Sequence, residues 1–429
     1  MNMIKIKSLK KLIIFFIVLS ISILLSFFKN NHLEFIFATS TLFIIFFISK
    51  LSYFSIFSFL LWFGYLQEYF ASISLTLSTG RLKWDLSVPI YYHELYLCII
   101  SFYIIEILSF ALTDVLNLEK KIYRIKVLDN IKIAYLYTTI SFIFTVLAYP
   151  TIPTLSSLLI RDQGFISSSF IVPISMVLLA TTIDYIEDSL FLKLMLIINL
   201  LWILLHGDRV IVFGFVIFLI LKYINNFKTS DNKTIINIKK TFVVLSIIIL
   251  ITFLGIRIQY SRIGALINFS NDKLIKNIII QGTAADVTHG FNCATDMWKN
   301  GNKLGGYTYL YYLSNLLPKA NIEYNPAYIL MVRYNTLGGG LFFTEPMMNG
   351  GIMACYLYSL VFICILVGLF SKSSQYRGFL IIPFFILIFR FAWYASLAGL
   401  VKMFLYYIPF LYFVTNRIQR LIKTDKQNH

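Results

Sequence analysis

Apolar residues run through this chain in blocks long enough to span a bilayer, near residues 11–28, 34–50, 51–70, 92–113, 131–149, 168–184, 190–206, 209–224, 241–257, 347–369, 378–398 and 400–416. Each block reads as a transmembrane helix, several of them short and tilted, which predicts an all-α polytopic bundle of about twelve helices. Residues 1–28 have the basic start and apolar run of a signal peptide. No small-residue cleavage site precedes Lys29-Asn30-Asn31, so an uncleaved first helix is expected. The pattern breaks once. From about 258 to 346 the chain is too long and too polar for a tight connection, yet keeps enough apolar and aromatic residues to argue against disorder. Within it, residues 307–317 read as a short helix lying in the interface. The expected organisation is therefore residues 1–257 carrying nine helices, 258–346 a large extracytoplasmic loop, and 347–429 three more helices and a cytoplasmic tail.

The basic residues test this count. With the N-terminus inside, the inner segments hold Lys5, Lys7, Lys10 and Lys11, then Lys120, Lys121, Arg124 and Lys126, then Lys222, Lys228, Lys233, Lys239 and Lys240, and later Lys372, Arg377, Arg417, Arg420, Lys423 and Lys426. Short outer loops carry only scattered cations, as the positive-inside rule requires, so both termini are expected in the cytoplasm. One inner loop, with Asp184, Glu187 and Asp188, is acidic and departs from the pattern; acidic residues weigh little in that rule.

Composition agrees. Hydrophobic residues make up 59% of the 429, above the roughly 45–50% of soluble domains. The net charge of +17 belongs to helix flanks that meet lipid headgroups, and gives no reason to expect a nucleic-acid partner. Cys98, Cys355 and Cys364 lie inside apolar blocks and Cys293 stands by itself in the loop, so neither a disulfide framework nor a metal-ligand set is expected. No phosphate-cradling glycine loop, dinucleotide fingerprint or Asp-x-Asp pair is present, and no cofactor is expected. An enzyme built this way needs a substrate that carries its own activation.

Candidate chemistry gathers on the predicted outer side. His206-Gly207-Asp208-Arg209 joins two apolar helices; it is either a satisfied tight turn or a site whose guanidinium is free to fork a phosphate. Arg257 and Arg262 follow the ninth helix, and snorkelling to headgroups accounts for them equally well. Arg333, Gly338-Gly339-Gly340 and Glu345-Pro346 lead back to the membrane. Glu345 is either a carboxylate suited to general-base work or a partner for a helix macrodipole, and a simple turn accounts for the glycines equally well. Glu68, Glu106, Arg390 and Lys402 are ionisable residues inside apolar blocks, of which Glu106 is the more plausible structural pairing; Asp286 and His289 are usable acid–base groups in the loop.

Leu205-His206-Gly207-Asp208-Arg209, Gly305-Gly306-Tyr307-Thr308-Tyr309 with Asn315-Leu316-Leu317-Pro318, and Gly338-Gly339-Gly340-Leu341-Phe342-Phe343-Thr344-Glu345 with Asn349-Gly350-Gly351 resemble O-antigen polysaccharide polymerases of the Wzy type. The motifs cover roughly residues 200–355; the first half is similar to that family only in hydropathy. The resemblance implies a glycosyltransferase of the bacterial inner membrane. Such an enzyme joins oligosaccharide repeat units carried on undecaprenyl diphosphate, with a flippase and a chain-length regulator as prospective partners. It implies no metal, because the diphosphate already activates the anomeric carbon. On that footing Arg209, Arg257, Arg262, Arg333 and Arg390 are expected to bind diphosphate. Glu345 is expected as base or acceptor-positioning group, with His206 as competing base and Asp208 beside it, and Tyr307, Tyr309, Tyr311 and Tyr312 as sugar-stacking residues unless they form an interfacial belt. None of Arg161, Arg209, Arg262 or Arg333 has a glycine eleven positions on, the spacing described in loops of some members, so donor- and acceptor-loop roles are not carried over. Two further readings use similar substrates: an O-antigen ligase, and a lipid-linked oligosaccharide flippase, which the absence of an obvious internal repeat disfavours. A multipass acyltransferase is the weakest rival.

Overall fold

The computed structural model describes residues 2–73, 88–124, 126–152, 168–227, 282–317, 322–336, 339–371, 374–394 and 397–425. Among them the only β-type pairing is an isolated bridge between Gly339 and Tyr394. The helices are α1 (Asn2–Phe28), α2 (Asn31–Ser49), α3 (Tyr53–Ser72), α4 (Tyr92–Leu112), α5 (Val115–Ile122), α6 (Ile131–Ala148), α7 (Ser168–Thr181), α8 (Leu190–Leu205) and α9 (Arg209–Phe227). These are followed by α10 (Gly282–Lys299), α11 (Leu310–Leu316), α12 (Pro326–Tyr334), α13 (Thr344–Phe370), α14 (Gln375–Ile386), α15 (Ile388–Trp393) and α16 (Ile408–Asp425). Among the described residues five stretches are long and apolar enough to cross a membrane: Ser8–Phe28, Asn31–Ser49, Tyr92–Leu112, Ile131–Ala148 and Thr344–Phe370. They are the hydropathic signature of a membrane protein. Ile171–Thr181, Leu190–Leu205, Val210–Ile224 and Gln375–Ile386 are shorter apolar helices. The block at 241–257 lies outside the described residues.

Three expectations change. The single helix read over 378–398 is two pieces, α14 and α15, separated at Leu387. Pro383 sits inside α14 and offers no N–H to its ladder, while its carbonyl accepts the capping N–H of Leu387 at 2.9 Å. The block at 400–416 is likewise irregular, with a π-helical turn at Met403–Tyr407 before α16. The segment read as one large loop carries real structure in its described part. The helix α10 buries Ala284, Val287, Phe291, Ala294 and Met297, and residues 307–316 form a 3-10 turn running into α11, as the short-helix reading expected.

The chain folds as two compact units: Met1–Glu119, Phe269–Lys372 and Phe389–Val401 in the first, and Lys120–Asn268, Ser373–Ile388 and Lys402–His429 in the second. In the first, α1, α2, α3, α10 and α13 pack around α4 and one another. Aromatic rings form its centre: Phe342 meets Phe362 at 4.9 Å, Phe57 at 5.5 Å and Phe102 at 5.8 Å between centroids. Polar groups stitch the helices where lipid gives no apolar drive to associate. Thr288 of α10 donates to the Gly64 carbonyl at 3.2 Å, Asn292 donates to Glu68 at 3.1 Å, and Ser58 bonds Glu106, so the structural pairing expected of Glu106 is present.

In the second unit, Ser141 and Thr145 of α6, Ser175 of α7 and Asn199 of α8 form one buried hydrogen-bond cluster, with contacts of 2.8–3.0 Å. The α9 helix passes α14 so closely that a Cβ added at Gly214 would lie 2.0 Å from the Ile386 carbonyl oxygen. The acidic loop finds its partner here, since Lys222 of α9 reaches Asp184 at 2.7 Å with both side chains largely shielded. Lys222→Ala leaves a shielded carboxylate without its cation and is expected to cost about 3 kcal/mol. Thermal unfolding in detergent checks this, and the paired variant with Asp184→Ala should recover most of the loss.

Candidate functional site

Glu345 lies in the first turn of α13, just after Phe342 enters the aromatic centre. Its approach is fixed by main chain. Gly339 forms an antiparallel bridge with Tyr394, and Gly338 lies outside the described residues. Leu341 N–H donates to the Val287 carbonyl at 3.2 Å and Phe342 N–H to the Ala392 carbonyl at 2.9 Å, so the strap is held between α10 and α15. A Cβ on Gly290 would sit 2.5 Å from the Gly339 oxygen; at this crossing a missing side chain is a packing requirement. Beyond Glu345 the helix breaks at Gly351, with φ 67° and ψ −154°, where the Trp298 indole leaves no room for a side chain.

The carboxylate is buried, 1% exposed, and both oxygens are engaged: Thr308 Oγ1 donates to Oε1 and the Tyr312 phenol to Oε2, each at 3.0 Å. Asn349, one helical turn on, donates to the Glu345 carbonyl at 2.9 Å and to Thr308 Oγ1 at 2.5 Å, and accepts the Gly306 N–H at 3.0 Å. Gly305 and Gly306 adopt φ of 54° and 93° and make the bend that docks residues 307–316 on this turn. Burial, then the neighbouring Glu345, push Tyr309 up to about 12. Burial raises Tyr312 as well, with Tyr358 and Glu345 adding to it. Both phenols stay protonated at neutral pH, and Tyr312 acts as a donor to Glu345.

Beside this cluster lies an apolar groove of about 370 Å³. One wall is Tyr358, Val361, Phe362 and Ile365, a single face of α13; the other is Tyr309, Tyr312 and Leu313. Val361, Ile365 and Leu313 are exposed, so the groove opens sideways where lipid would lie. Its boundary residue Tyr312 is also the Glu345 donor, so a phenol is what separates the groove from the carboxylate.

The other expected site residues divide. Tyr309 lines the groove; Tyr307 packs edge-on against Tyr324, and Tyr311 accepts from Asn325 at 3.4 Å. Arg390 belongs to the same unit, its guanidinium 5.2 Å above the Tyr394 ring and its buried Nε without a hydrogen-bond partner among the described residues. Arg333 is exposed at the end of α12. Arg257 and Arg262 lie outside the described residues, and Arg209 is described only as the first residue of α9. A convergence of all these arginines is therefore not seen among the described residues. His206 and Asp208 belong to the second unit. The His206 ring stacks on Tyr149 at 4.7 Å, with Nδ1 at 2.8 Å from the Trp202 carbonyl and Nε2 at 3.2 Å from Thr151; Tyr149 donates to Asp208 at 3.3 Å. Both imidazole nitrogens are occupied, as in a satisfied turn. Reading the sequence by itself gave no role to Thr308 or to Asn349 beside Glu345; the four-residue spacing of Glu345 and Asn349 was the one available signal.

Among the described residues no group of three or more His, Cys, Asp or Glu is placed to hold a metal ion. Comparison with protein-family models, with curated proteins and with solved structures finds no match to this chain.

Proposed function

We propose that the protein polymerises polyprenyl-diphosphate-linked oligosaccharide repeat units into a surface polysaccharide at the outer face of the bacterial inner membrane. On this reading it is a bundle of about twelve spans, with cytoplasmic termini and the 258–346 region outside. The observation that carries the reading is the apolar groove on α13, closed at one side by a phenol that is bonded to a buried carboxylate. An amphiphile with a long tail and a hydroxyl-rich head matches both parts. The sequence motifs around residues 305–318 and 338–351 support the same reading.

In this scheme an acceptor sugar hydroxyl forms its C–O bond at the donor's anomeric carbon as the bond from that carbon to the diphosphate oxygen breaks. The electron pair leaves with the diphosphate, and Arg390, whose buried Nε has no hydrogen-bond partner among the described residues, is the cation assigned to meet the developing charge. The acceptor's proton passes to the Tyr312 oxygen as that phenol gives its own proton to Glu345.

A deletion strain tests the reading on one gel. Lipopolysaccharide bearing a single repeat is expected; bare core would instead mark a ligase, and repeat units retained inside a flippase. The groove is tested separately. Val361→Trp fills it from the lipid side and is expected to raise KM for the lipid-linked unit about tenfold with kcat nearly unchanged, measured on purified protein in nanodiscs.

A further inference from the structure

A second cavity, about 460 Å³ and mainly polar, opens where α2 and α4 begin and α10 ends. It shares no lining residue with the α13 groove. At its wall His93 Nδ1 lies 2.6 Å from Glu34, a carboxylate 0% exposed that has been carried into the helix packing. The other Glu34 oxygen, Oε2, is buried and has no hydrogen-bond partner among the described residues. A buried carboxylate in this position fixes the imidazole ring and its tautomer: Nδ1 carries the proton and donates, leaving Nε2 as an acceptor. Nε2 makes no hydrogen bond among the described residues, and His93 lines the cavity. Across from it Lys299 pairs with Glu94 and lies 4.4 Å over the Tyr91 ring. Asn31 and Ser72 complete the rim. Tyr91 is held in place from behind, its hydroxyl donating to Asp296 at 3.0 Å.

The lining offers acceptors and donors side by side around aromatic carbon. Its lining charges are Glu94 and Lys299, which pair with one another. An anion would have to compete with Glu94 for Lys299, so a free phosphate or lipid headgroup is disfavoured. A ligand rich in uncharged hydroxyls matches the polar lining groups, and the volume lies within the usual range for small-ligand sites, about 300–1,000 Å³.

We propose that this cavity is a binding subsite for a neutral glycan, with His93 Nε2 accepting a sugar hydroxyl and the Lys299–Glu94 pair engaging its neighbours. The site is separate from the groove and the Glu345 cluster, and it suits a part of the polymer already made. The choice of glycan rests on the polymerase reading; the binding itself needs no turnover.

The test is equilibrium dialysis of the full chain in nanodiscs against labelled, lipid-free glycan released by mild acid from the parent strain's surface polysaccharide. Wild type is expected to bind. His93→Ala should bind at least tenfold more weakly, and Ser72→Trp, a rim change that fills the cavity without touching the Glu34 pair, should do the same. Glu345→Gln should bind as wild type does. Excess inorganic diphosphate should not compete. No binding by wild type, full binding by Ser72→Trp, or displacement by diphosphate would each overturn the proposal. Because Glu345→Gln serves in the same assay, a failure of the polymerase reading leaves this result intact and is recognised apart from it.

Discussion

Glu345→Gln is expected to lower polymerisation by about 10²- to 10⁴-fold, the range lost when a positioned proton acceptor is removed. The amide is nearly isosteric, so the Thr308 and Tyr312 donors keep one oxygen to bond and the fold should stand. What is lost is a group that can receive a proton through Tyr312. The check is chain growth from purified lipid-linked repeat units, alongside thermal unfolding to show that stability is little changed. Tyr312→Phe should give a loss of similar size, because it removes the hydroxyl that relays the proton even though Thr308 still bonds the carboxylate. If Glu345→Gln polymerises at the wild-type rate, the carboxylate has only a capping role and the proton route through Tyr312 is wrong.

Gly351→Ala is expected to destabilise the protein by about 3–5 kcal/mol, combining a backbone region reserved for glycine with an overpacked contact. At φ 67° and ψ −154° any side chain is strained, and the added Cβ would fall 2.3 Å from Trp298 Cε2. Relief comes either by straightening α13 or by moving the indole, and both displace the turn that carries Glu345 and Asn349. Unfolding temperature and polymerisation should therefore fall together, in contrast to Glu345→Gln, where only the second falls. A wild-type melting temperature in Gly351→Ala would mean the break is not demanded by the packing of Trp298.

Much of the helical order was legible because apolar blocks of spanning length have few other uses. Among the described residues five of them stand as helices long enough to cross, and the short helix near residue 310 was visible from its aromatic run. The break at Leu387 was harder to read, since Pro383 lies within an otherwise unbroken apolar stretch and membrane helices tolerate proline. At the site, Glu345 was legible as a carboxylate at the return to the membrane. Its partners were not, because Thr308 and Tyr312 come from 37 and 33 residues earlier and meet it only through the Gly305–Gly306 bend. The Glu34–His93 pair escaped for the same reason: 59 residues apart, each reads as a polar residue at the start of a helix. His206-Gly207-Asp208 shows the opposite case, since a local motif that drew attention has its imidazole nitrogens both occupied by nearby groups.

The crossing of Gly290 beneath the Gly339 carbonyl has a bearing on how this protein can vary over time. Enlarging Gly290 cannot be offset by shrinking a neighbouring side chain, because the atoms it would strike, the Gly339 oxygen first, belong to backbone. Drift there must wait for the whole strap to lift away from α10, carrying Phe342 and the start of α13 with it, so this spot should be among the slowest in the chain to change.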